Sequence, residues 1–324
     1  MDGFRIPIGE WVDVAVSWIK DNLDGLLDFI SFIVKFLVNG LTDVLLGTPI
    51  VAVIIIAALI AWLVRSIWMA LGTAVSFVLI LSMNLWVGAM QTLSLVVVAA
   101  LVAVVIAIPL GIWSARNATV RAVLKPILDF MQTMPAMVYL IPAIVFFSIG
   151  VVPGLVATVI FALPPGVRMT ELGIRGVDSE TVEAGQAFGA TPGQILRGIQ
   201  LPLAMPTIMA GVNQVIMLSL SMAVIAGMAG ADGLGKLVVE AIATVNIGKG
   251  VEAGLAVVLL AVFLDRVTAA LGTPGEFPSS LLGMLSRRRA ARGSESPADP
   301  ASAQASAQAD AEKVVAAGPR KAAP

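Results

Sequence analysis

Residues 66–115 read SIWMALGTAVSFVLILSMNLWVGAMQTLSLVVVAALVAVVIAIPLGIWSA, without one Asp, Glu, Lys or Arg. Fifty uncharged residues are too many for one helix across a hydrocarbon core about 30 Å thick at 1.5 Å per residue, and right for two. Asn84, Gly88 and Gln91 mark the turn between them. Composition extends this reading to the whole chain. Hydrophobic residues make up 58% of it and charged residues only 13%, with mean hydropathy +0.97. A soluble globule carries about a quarter charged residues, so most of this chain has a solvent other than water.

Other charge-free runs continue the pattern. Val44–Val64 is one span, and Phe130–Val167, broken at Gly150-Val-Val-Pro153-Gly154, is two short ones. Leu203–Ala231 and Val251–Leu271 bring the total to seven. Lys and Arg of the short loops set the orientation. Arg65, Arg116, Arg121, Lys125, Arg168, Arg175, Arg197 and Arg287–Arg292 fall on one side, which is the cytoplasm. The C-terminus is therefore inside and, with an odd count, the N-terminus outside. The fold class is an all-α polytopic membrane bundle.

Three segments follow. Residues 1–43 place Trp11, Val14, Trp18, Leu26, Phe29, Ile33 and Phe36 at helical spacing, with Asp13, Asp21, Asp24 and Asp28 between them. This describes amphipathic helices on the membrane surface. An eighth span over Leu26–Leu46 would bury Asp28, Lys35 and Asp43, which is expensive. Residues 44–272 form the transmembrane domain, with a cytoplasmic loop at 168–202. Residues 273–324 are a cytoplasmic tail, disordered after about residue 292 because Ala, Ser, Gln and Pro cannot bury a core.

The loop carries the most local information. Asp178 or Ser179 caps a helix with Glu180 and Glu183 in its first turns, and Gly189 ends it. Thr191 caps a second helix with Pro192 at its first position, and Pro202 stops it. Glu183-Ala184-Gly185, three residues, Gly189, nine residues and Ile199-Gln200-Leu201-Pro202 resemble the E-A-A loop of ABC importer permeases. Gly185 stands where that family usually has alanine, which loosens the helix by about 1 kcal/mol. Asp129-Phe-Met-Gln132, Pro135-Ala-Met-Val-Tyr139-Leu-Ile-Pro142, Pro164-Pro165, Gly211-Val-Asn213-Gln214 and Leu264-Asp265-Arg266 look like the glycine betaine/proline betaine permeases.

The resemblance implies a type I importer half-channel, paired with a second copy in a homodimer. It also implies cytoplasmic ATPase subunits docked on the coupling loop (Glu183, Ala184, Gly185, Gly189, Ile199, Leu201, Pro202) and an external substrate-binding protein. The cargo would be glycine betaine, proline betaine or a related quaternary ammonium solute, moved by alternating access. A different cargo, methionine or a sulfonate, is the nearest alternative; an ion-coupled secondary transporter is the rival of another class.

Several chemistries are excluded. Without histidine or cysteine there is no His-based acid–base catalysis, thiol chemistry or disulfide. No catalytic residue, metal site or cofactor is expected, and the net charge of −1 argues against nucleic acid. Gly230-Ala-Asp-Gly-Leu-Gly235-Lys236-Leu237 approaches a P-loop but lacks the hydroxyl residue after the lysine that would hold Mg²⁺. The partner membrane lipid meets Trp62, Trp68, Trp86 and Trp113 at span ends, and the Arg287–Arg292 cluster anchors on anionic headgroups.

Prolines 135, 142, 153, 164 and 165 place the fourth and fifth spans inside the bundle, lining a path, because broken helices need protein or water to satisfy their backbone. Tyr139 serves packing or that path. Asn213, Gln214, Ser219 and Ser221 line it or act as interhelical hydrogen-bond glue, and the sequence favours neither.

Overall fold

The computed structural model describes residues 7–272, and every regular element among them is helical. The chain runs through α1 (Ile8–Asn22), α2 (Asp24–Gly47), α3 (Ile50–Val64), α4 (Ile67–Ser82), α5 (Trp86–Arg116), α6 (Ala118–Thr133), α7 (Leu140–Phe147) and α8 (Val151–Arg175). It continues through α9 (Ser179–Ala187), α10 (Pro192–Ile195), α11 (Leu201–Ala226), α12 (Leu234–Ala243) and α13 (Ile247–Gly272). The tail and its arginine cluster lie outside the described residues.

At the centre α8 lies between α5 and α11, with α13 against α11 and α2 against α5. Small residues let these helices approach, as they must where lipid supplies no hydrophobic drive. A Cβ on Gly111 of α5 would stand 2.5 Å from the Thr170 Cβ of α8. One residue away on α8, a Cβ on Gly211 of α11 would stand 2.6 Å from the Met169 Cβ. Leu95, Val96, Leu155, Val215 and Leu260 fill the space between. Trp86 belongs to this core and not to an interfacial belt: it packs edge-on to Phe77, which meets Phe263 at 5.3 Å. Trp68 and Trp113 are exposed.

The boundaries of the apolar segments differ from the sequence reading in three places. Among the described residues five helices are long and apolar enough to cross a membrane, or six if one bent pair is a single span; α3 and α4 are shorter apolar helices. First, Val44–Val64 is not one helix. Pro49 lacks an N–H and drives Thr48 into extended backbone (ψ 138°), so α2 ends at Gly47 and α3 starts at Ile50. Second, Phe130–Val167 does divide near Gly150, between α7 and α8, but its halves are not two short spans. The chain kinks at Pro135, where α6 and the segment 136–147 make an angle of 109°, and α8 then runs unbroken for 25 residues. Pro153 sits in its first turn, where no N–H is missed, and Arg168–Arg175 belong to its last turns.

Third, α2 spans the boundary drawn at residue 43 and has the length and composition of a crossing helix. Asp28 and Asp43 lie about one turn from its ends, so only Lys35 would meet the bilayer centre. A polar stripe nevertheless runs its whole length: Asp28, Ser31, Lys35, Asn39 and Asp43 recur every three or four residues. Beside that stripe Val34 and Val38 pack into the core.

Candidate functional site

The loop beyond α8 is built from strong local signals. Asp178 caps α9, accepting from the Thr181 amide at 3.2 Å and the Glu180 amide at 3.4 Å. The Thr181 hydroxyl donates to the same carboxylate at 3.0 Å, and these bonds hold Asp178 below its ordinary carboxyl pKa. At the other end Gly189 takes φ +78°, the left-handed conformation that glycine reaches without strain. The amides of Phe188, Gly189 and Ala190 donate to the carbonyls of Ala184, Gln186 and Gly185, which leaves a rigid knuckle where α9 stops.

The returning half differs from the sequence reading. Thr191 and Gln194 form a reciprocal capping box with Pro192 at the first position, as expected. Pro202, however, does not stop this helix. Residues 196–200 form a π-helical turn, and α10, the π turn and α11 are continuous. The wider turn carries Leu201 N–H to the Leu196 carbonyl and absorbs the amide that Pro202 lacks. The loop is thus a free arm, α9, folded onto an arm that is the start of a transmembrane helix.

The named residues divide between those arms. Glu183, Ala184 and Gly189 are exposed, and α9 has no buried residue. Gly185 faces inward, where an added Cβ would stand 2.7 Å from the Ile199 δ-methyl. Glycine at this position therefore serves close packing of the two arms. Ile199 is the residue it admits. Leu201 packs in a cluster of Ile174, Leu196, Ala204 and Ile208 that anchors the returning arm under α8, while Pro202 is exposed.

The residues considered for a path are not gathered into one lining. Tyr139, on a 3₁₀ turn at Ala136–Tyr139, is buried and donates its hydroxyl to the Met131 carbonyl, with its ring edge-on to Phe161 at 5.9 Å. That is packing across the Pro135 kink. Pro142 is exposed in the first turn of α7. Asn213 is interhelical glue: it donates to Asp265 at 3.0 Å and accepts from the Thr268 hydroxyl at 2.7 Å, joining α11 to α13. Gln214 and Ser221 are exposed, and the hydroxyl of buried Ser219 has no partner among the described residues.

Three groups escaped sequence reasoning. Asp129 pairs with Arg168 across α6 and α8, and Glu171 accepts from Ser114 of α5 at 2.7 Å. Both pairs join residues far apart in sequence, which no periodicity reveals. Phe188 was legible as the one large apolar residue between Val182 and Ile195.

At the other end of the bundle, the P-loop-like stretch is a turn leading into α12. No strand precedes it, the Leu234 amide donates to the Thr92 hydroxyl at 2.8 Å, and Lys236 pairs with Asp232. Its amide and lysine are already engaged, so it offers no phosphate cradle.

The model of the binding-protein-dependent transport system inner membrane component family matches residues 107–273. The glycine betaine transport system permease protein OpuAB of Bacillus subtilis is 48% identical over 264 residues, which cover 82% of this chain and 94% of that protein. The glycine betaine/proline betaine permease ProW of Escherichia coli is 46% identical over 82% of this chain and 75% of its own length. The glycine betaine/carnitine permease GbuB of Listeria monocytogenes is 46% identical over 82% of this chain and 95% of its own. Among solved structures, a chain of the inward-facing MetNI methionine ABC transporter matches with TM-score 0.54 at 24% identity, covering 58% of this chain and 94% of that one. This last likeness concerns the fold.

Proposed function

From the premise that the chain belongs to the family of binding-protein-dependent transport system inner membrane components, we propose that it is the permease subunit of an ABC importer for glycine betaine, proline betaine or a related quaternary ammonium solute. It is a multi-pass protein of the inner membrane. Identity of 46–48% to three betaine permeases over four-fifths of the chain supports the cargo. ATP is hydrolysed by separate subunits, an external binding protein delivers the solute, and two copies of this chain enclose the path.

One observation carries the mechanism. The E-A-G-x₃-G arm projects from the end of α8 where Arg116, Arg121, Lys125, Arg168, Arg175 and Arg197 gather, and its returning half is continuous with α11. Basic residues mark the cytoplasmic end, so Glu183, Ala184 and Gly189 meet the ATPase there while Gly185 holds the two arms together. Ile199, Leu201 and Pro202 transmit its motion. Closure of the ATPases on ATP then rocks α11 against α8 and alternates access. The pore needs no high-affinity site of its own when a binding protein delivers the solute.

The N-terminal helices belong to the outer surface. Between residues 7 and 30 they carry Glu10, Asp13, Asp21, Asp24 and Asp28 but only Lys20 as a cation, too few basic residues for a cytoplasmic segment. The polar stripe of α2 suits the headgroup layer.

The test is purification in mild detergent followed by uptake. An ATPase held one-to-one with this chain, and accumulation of radiolabelled glycine betaine but not methionine by cells carrying the complex, are the expected results. Retention of no ATPase would remove the class, and uptake of methionine alone would change the cargo.

A further inference from the structure

We propose that Phe188 anchors this chain in its ATPase, the ring entering an apolar pocket on that partner, while Glu183 remains at the solvated edge. The inference rests on the coupling role of α9 and names the group that bears it.

Phe188 is 93% exposed, more than any other large apolar side chain among the described residues. Its surroundings are equally unusual for a surface. From Ala184 to Leu196 there is no charged residue, although the segment stands at the cytoplasmic end of the bundle and α9 buries none of its side chains. Charges begin only at the margins, with Asp178, Glu180 and Glu183 before this stretch and Arg197 after it. An uncharged centre holding one aromatic ring, within a charged margin, is the anatomy of a protein interface and its hot spot.

The ring is also presented rigidly. Amides of Phe188, Gly189 and Ala190 are all bonded back to α9, and Gly189 fixes the reversal of the chain. Little backbone entropy remains to be lost on docking.

Lipid is the poorer occupant. The 25 residues of α8 already span about 37 Å, more than the hydrocarbon core of about 30 Å, before α9 begins. The three carboxylates beside the stretch would also meet an anionic cytoplasmic leaflet. The pocket that receives the ring is therefore protein, apolar and deep enough for a phenyl group.

The full chain in lipid nanodiscs, titrated with its ATPase, tests this. Phe188→Ala should weaken association by about 30-fold or more, the loss typical of a hot spot. Phe188→Leu, which keeps apolar volume, should stay within about five-fold, and Glu183→Gln, at the rim of the same contact, should lose less than Phe188→Ala. Wild-type affinity in Phe188→Ala would overturn the proposal, as would a larger loss in Glu183→Gln than in Phe188→Ala. An ATPase that does not bind even the unsubstituted chain defeats the coupling reading itself. The chain has no cysteine, so Ala187→Cys adds a single thiol beside the ring. A water-soluble maleimide should label it in nanodiscs without ATPase, and bound ATPase should protect it. Protection by the bilayer alone would assign the ring to lipid and end the proposal.

Discussion

The two ends of α8 are finished differently. At its start the Gly150 amide donates to the Ala229 carbonyl and the Leu234 amide to Thr92. Two ion pairs complete that end, Lys236 with Asp232 at 2.9 Å and Lys249 with Glu240 at 2.7 Å. Each cation has its carboxylate: Asp232 holds Lys236 above its ordinary pKa, and Lys249 holds Glu240 below its own. At the far end α9 buries nothing, and Arg116, Arg121, Lys125, Arg175 and Arg197 have no partner among the described residues. One end closes on itself within a single chain. The other presents surface that nothing among the described residues completes.

Substitutions at either end can break or sharpen that contrast. The largest effect is expected from Glu183→Lys with Gly189→Trp, which reverses a charge and forces a bulky residue into φ +78°. Co-purification of the ATPase should fall below detection with the melting temperature of the permease unchanged; normal co-purification would refute the coupling role. Thr92→Val should do the opposite. It leaves the buried Leu234 amide without an acceptor, at a cost of about 1–3 kcal/mol, so detergent melting should drop while the ATPase still binds. A melting temperature equal to wild type would show that the outer end does not depend on this bond.

Between the ends lies Asn213. Its replacement by Leu removes the bonds to Asp265 and Thr268, and interhelical bonds in membranes contribute about 0.6–1.7 kcal/mol each. Uptake and melting should both decline modestly, and a variant with wild-type values in both would make the clamp dispensable.

Two smaller expectations remain. Lys35→Cys should react with an impermeant thiol reagent from outside, whereas protection from both sides would bury α2 in the bilayer. The Asp178 cap should be pH-sensitive in one direction. Its folded pKa lies below the unfolded value, so the stabilisation is complete above the unfolded value of about 3.9. It is lost as pH falls through the folded one. Amide exchange in α9 should accelerate in acid, and Asp178→Asn should remove that dependence.

Much of this architecture was legible before any coordinates. Charged residues are costly in lipid, and their absence over 66–115 and 203–231 coincides with the apolar helices α4, α5 and α11. The same logic blurred Thr48-Pro49, because a backbone break inside an apolar run changes no charge. Pro202 misled for another reason: a missing amide usually ends a helix, but one wide turn absorbed it here. In the loop, the caps at Asp178, Gly189 and Thr191 were readable because each acts within four residues. Asn213 stayed undecided between path and glue because its partner Asp265 lies 52 positions away. Phe188 stands in the sequence as a lone aromatic residue, but its full exposure depends on the tertiary fold.

The wide turn at Leu196–Gln200 also fixes an angle. It inserts one residue relative to regular α-helix, and each residue of a helix turns the chain by about 100°. Deleting a single residue there would leave α11 seated in the bundle but swing α9 around its axis by about that amount, aiming Phe188 at empty cytoplasm. On the proposed coupling role, the direction of thrust is therefore set by an odd residue in a helix, and the crank could be mis-timed without damage to either part it joins.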